Sequence, residues 1–178
     1  MTNLRKCRVG IRESKLSKAQ TNIFIKESEK YVEIKKNIQF EVQTIKTSGD
    51  IHKETRLDTL GGKGLFTKEI EGQILLETID IGIHSMKDVP ASDENPELKI
   101  ICWMKRHDPS DALISNSGKT LEQLPPGSVI GTSSVRRRAQ ILSIRKDLQI
   151  RLLRGNVDTR LKKLTDKKYD AIILSAAG

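Results

Sequence analysis

Three times along this chain a short apolar run ends in a corner that carries Arg with Ser, Thr or Asn beside it, and a helix-periodic segment follows. Residues 7–11 run into Arg12, Glu13 and Ser14, and residues 128–131 into Thr132-Ser133-Ser134 and Arg136-Arg137-Arg138. Residues 148–153 run into Arg154-Gly155-Asn156, with Arg160 one turn into the next helix. A strand that repeatedly feeds a helix predicts an α/β sheet with crossover connections. In such sheets ligands sit outside the carboxyl ends of the strands, which is where these corners fall. Residues 79–90 make a fourth exit of this kind. Ile79, Ile81 and Ile83 read as a strand, and Ser85, Lys87 and Asp88 follow before Pro90 ends the segment.

The remaining pattern fills in the sheet. Ser14 is a good N-cap, and the helix after it places Leu16, Ala19, Ile23 and Phe24 on one side. Residues 38–47 alternate through Phe40, Val42 and Ile45 and end in Thr47-Ser48-Gly49-Asp50. A polar stretch, 53–59, precedes Gly61-Gly62-Lys63-Gly64, and a helix with Phe66, Ile70 and Ile74 comes next. Residues 98–104 (Leu-Lys-Ile-Ile-Cys-Trp-Met) predict another strand. Near Arg106-His107-Asp108-Pro109 the pattern restarts, which divides the chain into a first α/β lobe, 1–104, and a second, 105–178. The second contains strands over 112–115, 148–153 and 169–174. Its helices run through Val135, Ala139 and Leu142 and through Val157, Leu161 and Leu164. No internal repeat or low-complexity tract is visible.

Charge narrows the partner. A net charge of +9 implies a polyanion, whether nucleic acid, phosphate or a carboxylate-rich small molecule. Aromatics make up only 3% of the residues, which leaves few stacking platforms for bases and argues against nucleic acid. Cys7 and Cys102 have no metal-ligand spacing, and two isolated cysteines fit a reduced compartment. The first residues lead into no long apolar run, so neither a secretion signal nor a membrane span is expected, and the expected location is the cytoplasm.

The basic corners have a specific form. Arg136, Arg137 and Arg138 fall in the first turn of their helix, where cations oppose the helix dipole at roughly 0.3–1 kcal/mol each. The same turn offers free N–H groups and hydroxyls, so it makes sense if an anion belongs there. The alternative is a basic surface helix. Between residues 136 and 163 the cations are Arg136, Arg137, Arg138, Arg145, Lys146, Arg151, Arg154, Arg160, Lys162 and Lys163, against Asp147 and Asp158 alone. Arginine's planar fork suits bidentate binding of carboxylates. Asp88 is then the exception. A carboxylate beside anion-gripping arginines serves either a cation formed in a reaction, or a moving proton, or an ordinary salt bridge to Lys87 or a nearby Arg.

Four segments together resemble the hydroxymethylbilane synthase (porphobilinogen deaminase) family. They are Gly61-Gly62-Lys63-Gly64-Leu65-Phe66, His84-Ser85-Met86-Lys87-Asp88-Val89-Pro90, Gly131-Thr132-Ser133-Ser134-Val135-Arg136-Arg137 and Leu153-Arg154-Gly155-Asn156-Val157-Asp158-Thr159-Arg160. The resemblance implies an enzyme that joins four porphobilinogen pyrroles head to tail, with loss of ammonia, into linear hydroxymethylbilane. It implies a dipyrromethane cofactor on a cysteine, and acetate and propionate arms for the arginines to hold. Asp88 matches the family's catalytic aspartate. Ser85, Lys87, Lys63, Thr132, Ser133, Ser134, Arg136 and Arg137 match cofactor-binding positions, and Arg12, Ser14, Gln20, Arg154 and Arg160 match substrate-binding ones. The implied fold has two lobes like those of type II periplasmic binding proteins plus a small third domain.

Lys15 stands where many members have Pro, and Thr59 where some have Lys. The cofactor-bearing cysteine belongs to the third domain, and neither Cys7 nor Cys102 has a matching context. The resemblance therefore implies that the third domain is absent from these residues, the second lobe incomplete, and the first without its return segment. The expectation is a truncated form that does not turn over by itself, and a monomer when complete. A non-enzymatic two-lobed carboxylate-binding protein and a nucleic-acid binder are the competing readings.

Overall fold

The structure, a computed structural model, describes residues 4–51, 64–90 and 95–177, and for Ile51 the backbone alone. It forms two compact units, residues 1–104 and 105–178.

In the first unit β1 (Arg5–Arg12) lies at the centre of a parallel sheet of order β2-β1-β3. It pairs with β2 (Ile38–Ile45) from Arg5↔Ile38 to Arg12↔Ile45, and with β3 (Ile81–Gly82) at Val9↔Ile81 and Gly10↔Gly82. Hydrogen bonds from Asp80 N–H to Arg8 C=O and from Ile83 N–H to Gly10 C=O carry this contact beyond the short β3, so most of the expected 79–83 strand follows β1. Helices α1 (Lys15–Ser28) and α2 (Val32–Asn37) connect β1 to β2. The short α3 (Ser48–Ile51) and then α4 (Lys68–Leu75) lie between β2 and β3. Val9, Ile11, Ile70 and Ile79 are fully buried. Gly10 permits this packing, because a Cβ there would meet Ile45 Cδ1 at 3.0 Å and Ile70 Cγ2 at 3.4 Å.

Three expectations change here. The buried face of α1 is Ser17, Thr21 and Ser28, whereas Ala19 and Ile23 are exposed. Thr21 satisfies its hydroxyl on Ser17 C=O at 2.8 Å, so small polar residues can pack closely there. Phe24 leaves that face to meet Phe40 of β2 edge-on, with centroids 5.6 Å apart. Phe66 precedes α4 instead of lying on it. Residues 98–104 form no strand, and Ile101 and Trp103 are 75% and 71% exposed. An apolar run becomes a strand only when a neighbour takes its backbone hydrogen bonds, and none of the described residues does so.

The second unit is a four-stranded sheet of order β4-β7-β5-β6. Its strands are β4 (Asp111–Ser115), β5 (Val129–Gly131), β6 (Gln149–Arg151) and β7 (Ala171–Ser175). All neighbours are parallel except the β4–β7 pair. Helix α5 (Val135–Ile144) follows β5, and α6 (Val157–Thr165) follows β6. Alternate residues of β7 face opposite sides. Ala171 and Ile173 pack with Leu124, Ile130, Ile141 and Leu148, whereas Ile172 and Leu174 pack with Leu153 and Leu164. A strand covered on both faces has to be apolar throughout, which is why 171–174 shows no alternation.

Both units thus contain three parallel strands with the first in the middle, β2-β1-β3 and β6-β5-β7. In each, the strand order reverses beside that central strand, and the expected corners lie at its carboxyl end.

Candidate functional site

In the first unit the site is organised around Arg12, the last residue of β1. Its Nε and Nη2 donate to the two carboxylate oxygens of Asp50 at 3.2 and 2.6 Å. Its guanidinium carbon stands 4.1 Å from the centroid of Phe66, a cation–π contact. The remaining terminal nitrogen, Nη1, is 3.9 Å from Asp88 Oδ2. Asp50 is held from below by the hydroxyl of the fully buried Thr47, which donates to Oδ2 at 2.8 Å. Burial alone would raise the Asp50 carboxyl, but the bonds from Arg12 and Thr47 outweigh it and hold it below the usual carboxylate range.

Asp88 is in the opposite situation. It ends a 3-10 turn, Met86–Asp88, in which Asp88 N–H donates to Ser85 C=O at 2.9 Å. Burial raises its carboxyl above the ordinary value, against the weaker pull of Lys87, Arg12 and His84. Its side chain is only 24% exposed, so it stays poorly solvated and loosely paired. His84 adjoins it, and burial lowers the imidazole's pKa, with Asp88 opposing and Arg12 assisting. His84 Nε2 is buried with no hydrogen-bond partner. It would be 3.1 Å from a Cβ on Gly82, so the glycine leaves room for the ring. Gln20 Nε2 donates to Ser85 Oγ at 2.9 Å, and the Ser85 hydroxyl can return a bond to Gln20 Oε1 at 3.2 Å. Ser14 Oγ caps α1 by accepting from Ser17 N–H at 3.2 Å. Lys87 is exposed.

In the second unit the residues after β5 form a cap. Ser134 Oγ accepts from Arg137 N–H at 3.4 Å, and Thr132 Oγ1 from Ser134 N–H at 3.2 Å. Ser133 Oγ donates to Leu153 C=O and so ties this corner to the one after β6. Arg137 places Nε and Nη2 on Asp111 Oδ1 at 3.0 and 2.7 Å, and Nη1 on Ile173 C=O at 3.2 Å. Arg136 shares that carboxylate through Oδ2 at 2.8 Å, but it is 59% exposed against 13% for Arg137. Burial would raise the Asp111 carboxyl, yet the two arginines hold it below the ordinary value. Asp111 therefore supplies an anion that the first turn of α5 needs.

Arg160 turns its Nε onto Gly155 C=O at 2.7 Å. Burial lowers its pKa, and the charges of Arg137 and Arg154 lower it further. Three guanidinium groups therefore gather close enough to repel one another. Arg154 Nε is buried without a hydrogen-bond partner. Half-buried cations with unused donors favour an incoming carboxylate.

Of the residues expected from sequence, Arg12, Ser14, Gln20, Ser85, Lys87 and Asp88 gather at one sheet edge. Thr132, Ser133, Ser134, Arg136, Arg137, Arg154 and Arg160 gather at the other, with Arg136 the most outward. Lys63 lies outside the described residues, as do Thr59 and Gly61-Gly62. Sequence reading missed Asp50, Phe66, Thr47, His84 and Asp111 as members of the site. Asp50 could have been found, since it follows β2 at the same edge as Arg12. Asp111 could not, because 26 residues separate it from Arg137.

Two sheets with ligand-type corners at the carboxyl ends of their parallel strands define an α/β protein. The probable amino-acid ABC transporter extracellular-binding protein of Bacillus subtilis superposes with a TM-score of 0.51, covering 97% of this chain and 71% of that one at 13% identity, which shows the shared fold. Residues 7–178 match the family description "Porphobilinogen deaminase, dipyromethane cofactor binding domain", and the chain belongs to that family. The porphobilinogen deaminase of Bacillus thuringiensis (strain Al Hakam) is 50% identical over 176 residues, and that of Bacillus mycoides (strain KBAB4) 49% over 175. Each alignment covers 98% of this chain and 55% of the relative, so the chain spans about half the length of the curated relatives it matches.

The donor set suits a dipyrromethane and a further pyrrole joined to it, since each ring carries acetate and propionate arms. Arg137, Arg154 and Arg160 provide convergent positive charge, and the buried Arg154 Nε is a donor left for an oxygen to fill.

Proposed function

We propose that these residues form the cofactor- and substrate-holding part of a hydroxymethylbilane synthase, which condenses four porphobilinogen molecules head to tail. When bound, the dipyrromethane supplies the pyrrole position to which the first porphobilinogen is joined. The residues assigned to its carboxylates are Thr132, Ser133, Ser134, Arg136 and Arg137, and, from the resemblance of their segments, Ser85, Lys87 and Lys63. Arg154 and Arg160, together with Arg12, Ser14 and Gln20, hold the arms of porphobilinogen. Asp88 is the catalytic group. Each condensation breaks the C–N bond of a protonated aminomethyl group, expels ammonia and leaves positive charge on a pyrrole nitrogen, which is discharged when the methylene carbon bonds to the α-carbon of the adjoining pyrrole and that carbon gives up its proton. A poorly solvated carboxylate beside that nitrogen stabilises the charge more than water would, and its raised affinity for protons suits it to take one up.

The observation that supports this best is the state of Asp88, three-quarters buried yet paired with Arg12 only at 3.9 Å. A carboxylate serving a structural salt bridge would be closed onto its partner. The test is Asp88→Asn in the full-length protein. The expected result is a kcat lower by about 10²- to 10⁴-fold with porphobilinogen binding retained. Unchanged turnover would overturn the reading.

By themselves the 178 residues are proposed to bind carboxylate-bearing pyrroles without turning over, because neither cysteine stands at the site. The protein is further proposed to act as a monomer in the cytoplasm, with no nucleic-acid partner. No described helix is long and apolar enough to cross a membrane.

A further inference from the structure

Two carboxylates compete for one guanidinium at the end of β1, and they do so unequally. Asp50 takes Nε and Nη2 at 3.2 and 2.6 Å, whereas Asp88 faces Nη1 at 3.9 Å. Arg12 cannot rotate to improve its contact with Asp88 without giving up a two-point bond. The ring of Phe66 against its face opposes tilting as well. Asp50 itself is fixed by Thr47 Oγ1 at 2.8 Å and by its own N–H on Thr47 C=O at 2.9 Å. The arrangement is therefore braced on the side away from Asp88.

We propose that Asp50 is a positioning residue for Asp88: by holding Arg12 in a two-point bond it keeps the guanidinium from closing onto Asp88, whose carboxylate stays open to a cation arriving at the β1–β3 edge. This inference rests on the reading of Asp88 as the catalytic carboxylate. It adds that Arg12, proposed above to hold substrate, is already charge-paired from within. Among the described residues, the charged and titratable groups facing Asp88 are Arg12 from β1 and His84 and Lys87 from its own segment. Of these, Arg12 has a second carboxylate to satisfy, and that choice sets how strongly it pulls on Asp88.

The test needs no turnover. Carbon-13 labelled aspartate in the 178-residue chain allows each carboxylate to be titrated by NMR without substrate. In the unaltered chain Asp50 is expected to titrate below the ordinary carboxylate range and Asp88 above it, and the reverse order would overturn the proposal. Asp50→Asn should free Arg12 to pair with Asp88 and move the Asp88 midpoint down, whereas Asp50→Glu should restore it. A folded Asp50→Asn variant whose Asp88 midpoint is unmoved would also overturn it. Should Asp50→Asn fail to fold, Asp50→Ser, which also removes the carboxylate that holds Arg12, is read in the same way. Loss of turnover in Asp88→Asn is measured separately, so the positioning role and the catalytic role can fail independently.

Discussion

Asp80 and Asp88 are eight residues apart and are shifted in opposite directions. Asp80 accepts from Arg8 Nε and Nη2 at 3.1 and 2.7 Å and from the Arg8 backbone N–H at 2.7 Å. Those bonds hold its carboxyl down to about 2. A depressed carboxyl contributes stability that is present above the unfolded value, near 4, and is lost as pH falls through the folded one. The urea midpoint of the unaltered chain should therefore fall between about pH 4 and pH 2 more steeply than that of Asp80→Asn. The two should converge below that window, and parallel curves would show that the pair contributes nothing. Asp88 has the reverse linkage. Its raised carboxyl favours the folded state at low pH, and stability is lost as pH rises through its folded value. Such a cost at neutral pH is what a functional group imposes on a fold. The sequence exposes Asp88 as an isolated acid but not its environment, because burial and the competing Asp50 depend on residues 38 positions away from Arg12.

At the scale of elements, what is local was legible. Ser14 caps the helix that its position predicts, and Ser134 and Asn156, placed by sequence in the corners before α5 and α6, prove to cap those helices, with Asn156 Oδ1 accepting from Thr159 N–H at 3.0 Å. A cap is decided within four residues, so sequence carries it entirely. The β6–α6 corner shows how tightly such a turn is specified. Gly155 has φ of +111°, and a Cβ there would approach Thr159 Cγ2 to 2.6 Å. Its carbonyl also accepts from Arg160 Nε. Gly155→Ala should cost about 1–3 kcal/mol of strain, more than the roughly 1 kcal/mol of losing the cap in Asn156→Ala. On the proposed role of Arg160 it should also weaken porphobilinogen binding by displacing that side chain, which the cap variant leaves in place. Thermal unfolding with calorimetric binding separates the two, and equal binding by both variants would refute the coupling. Non-local pairing was not legible. The 98–104 run has the apolar content of a strand but no strand partner among the described residues, and α1 buries Ser17 and Thr21 where periodicity favours Ile23.

At the scale of the whole chain, the two units repeat a three-strand parallel topology that leaves no trace as a sequence repeat, since only patterns of burial are shared and not residues. That topology also bears on covalent chemistry. A parallel strand gathers function at its carboxyl end, and Cys7 is at the other end of β1. Five residues at about 3.3 Å each put it roughly 17 Å from Arg12. Its thiol is half-buried, and burial first and the Asp80 charge second raise its pKa. The thiolate is the nucleophile, so Cys7 is both misplaced and poorly reactive. Cys102 is exposed but lies in the irregular stretch beside Ile101 and Trp103, outside either corner. Incubated with porphobilinogen and then denatured, the 20.0 kDa chain should keep its unmodified intact mass and release no ammonia. Native mass spectrometry of the same sample should still show the pyrrole held without a covalent bond, because the arginine corners need no cysteine to grip carboxylates. A dipyrromethane mass added to either Cys7 or Cys102 would show that one of them reaches the site after all, and the division between anchoring and gripping argued from strand direction would fall with it.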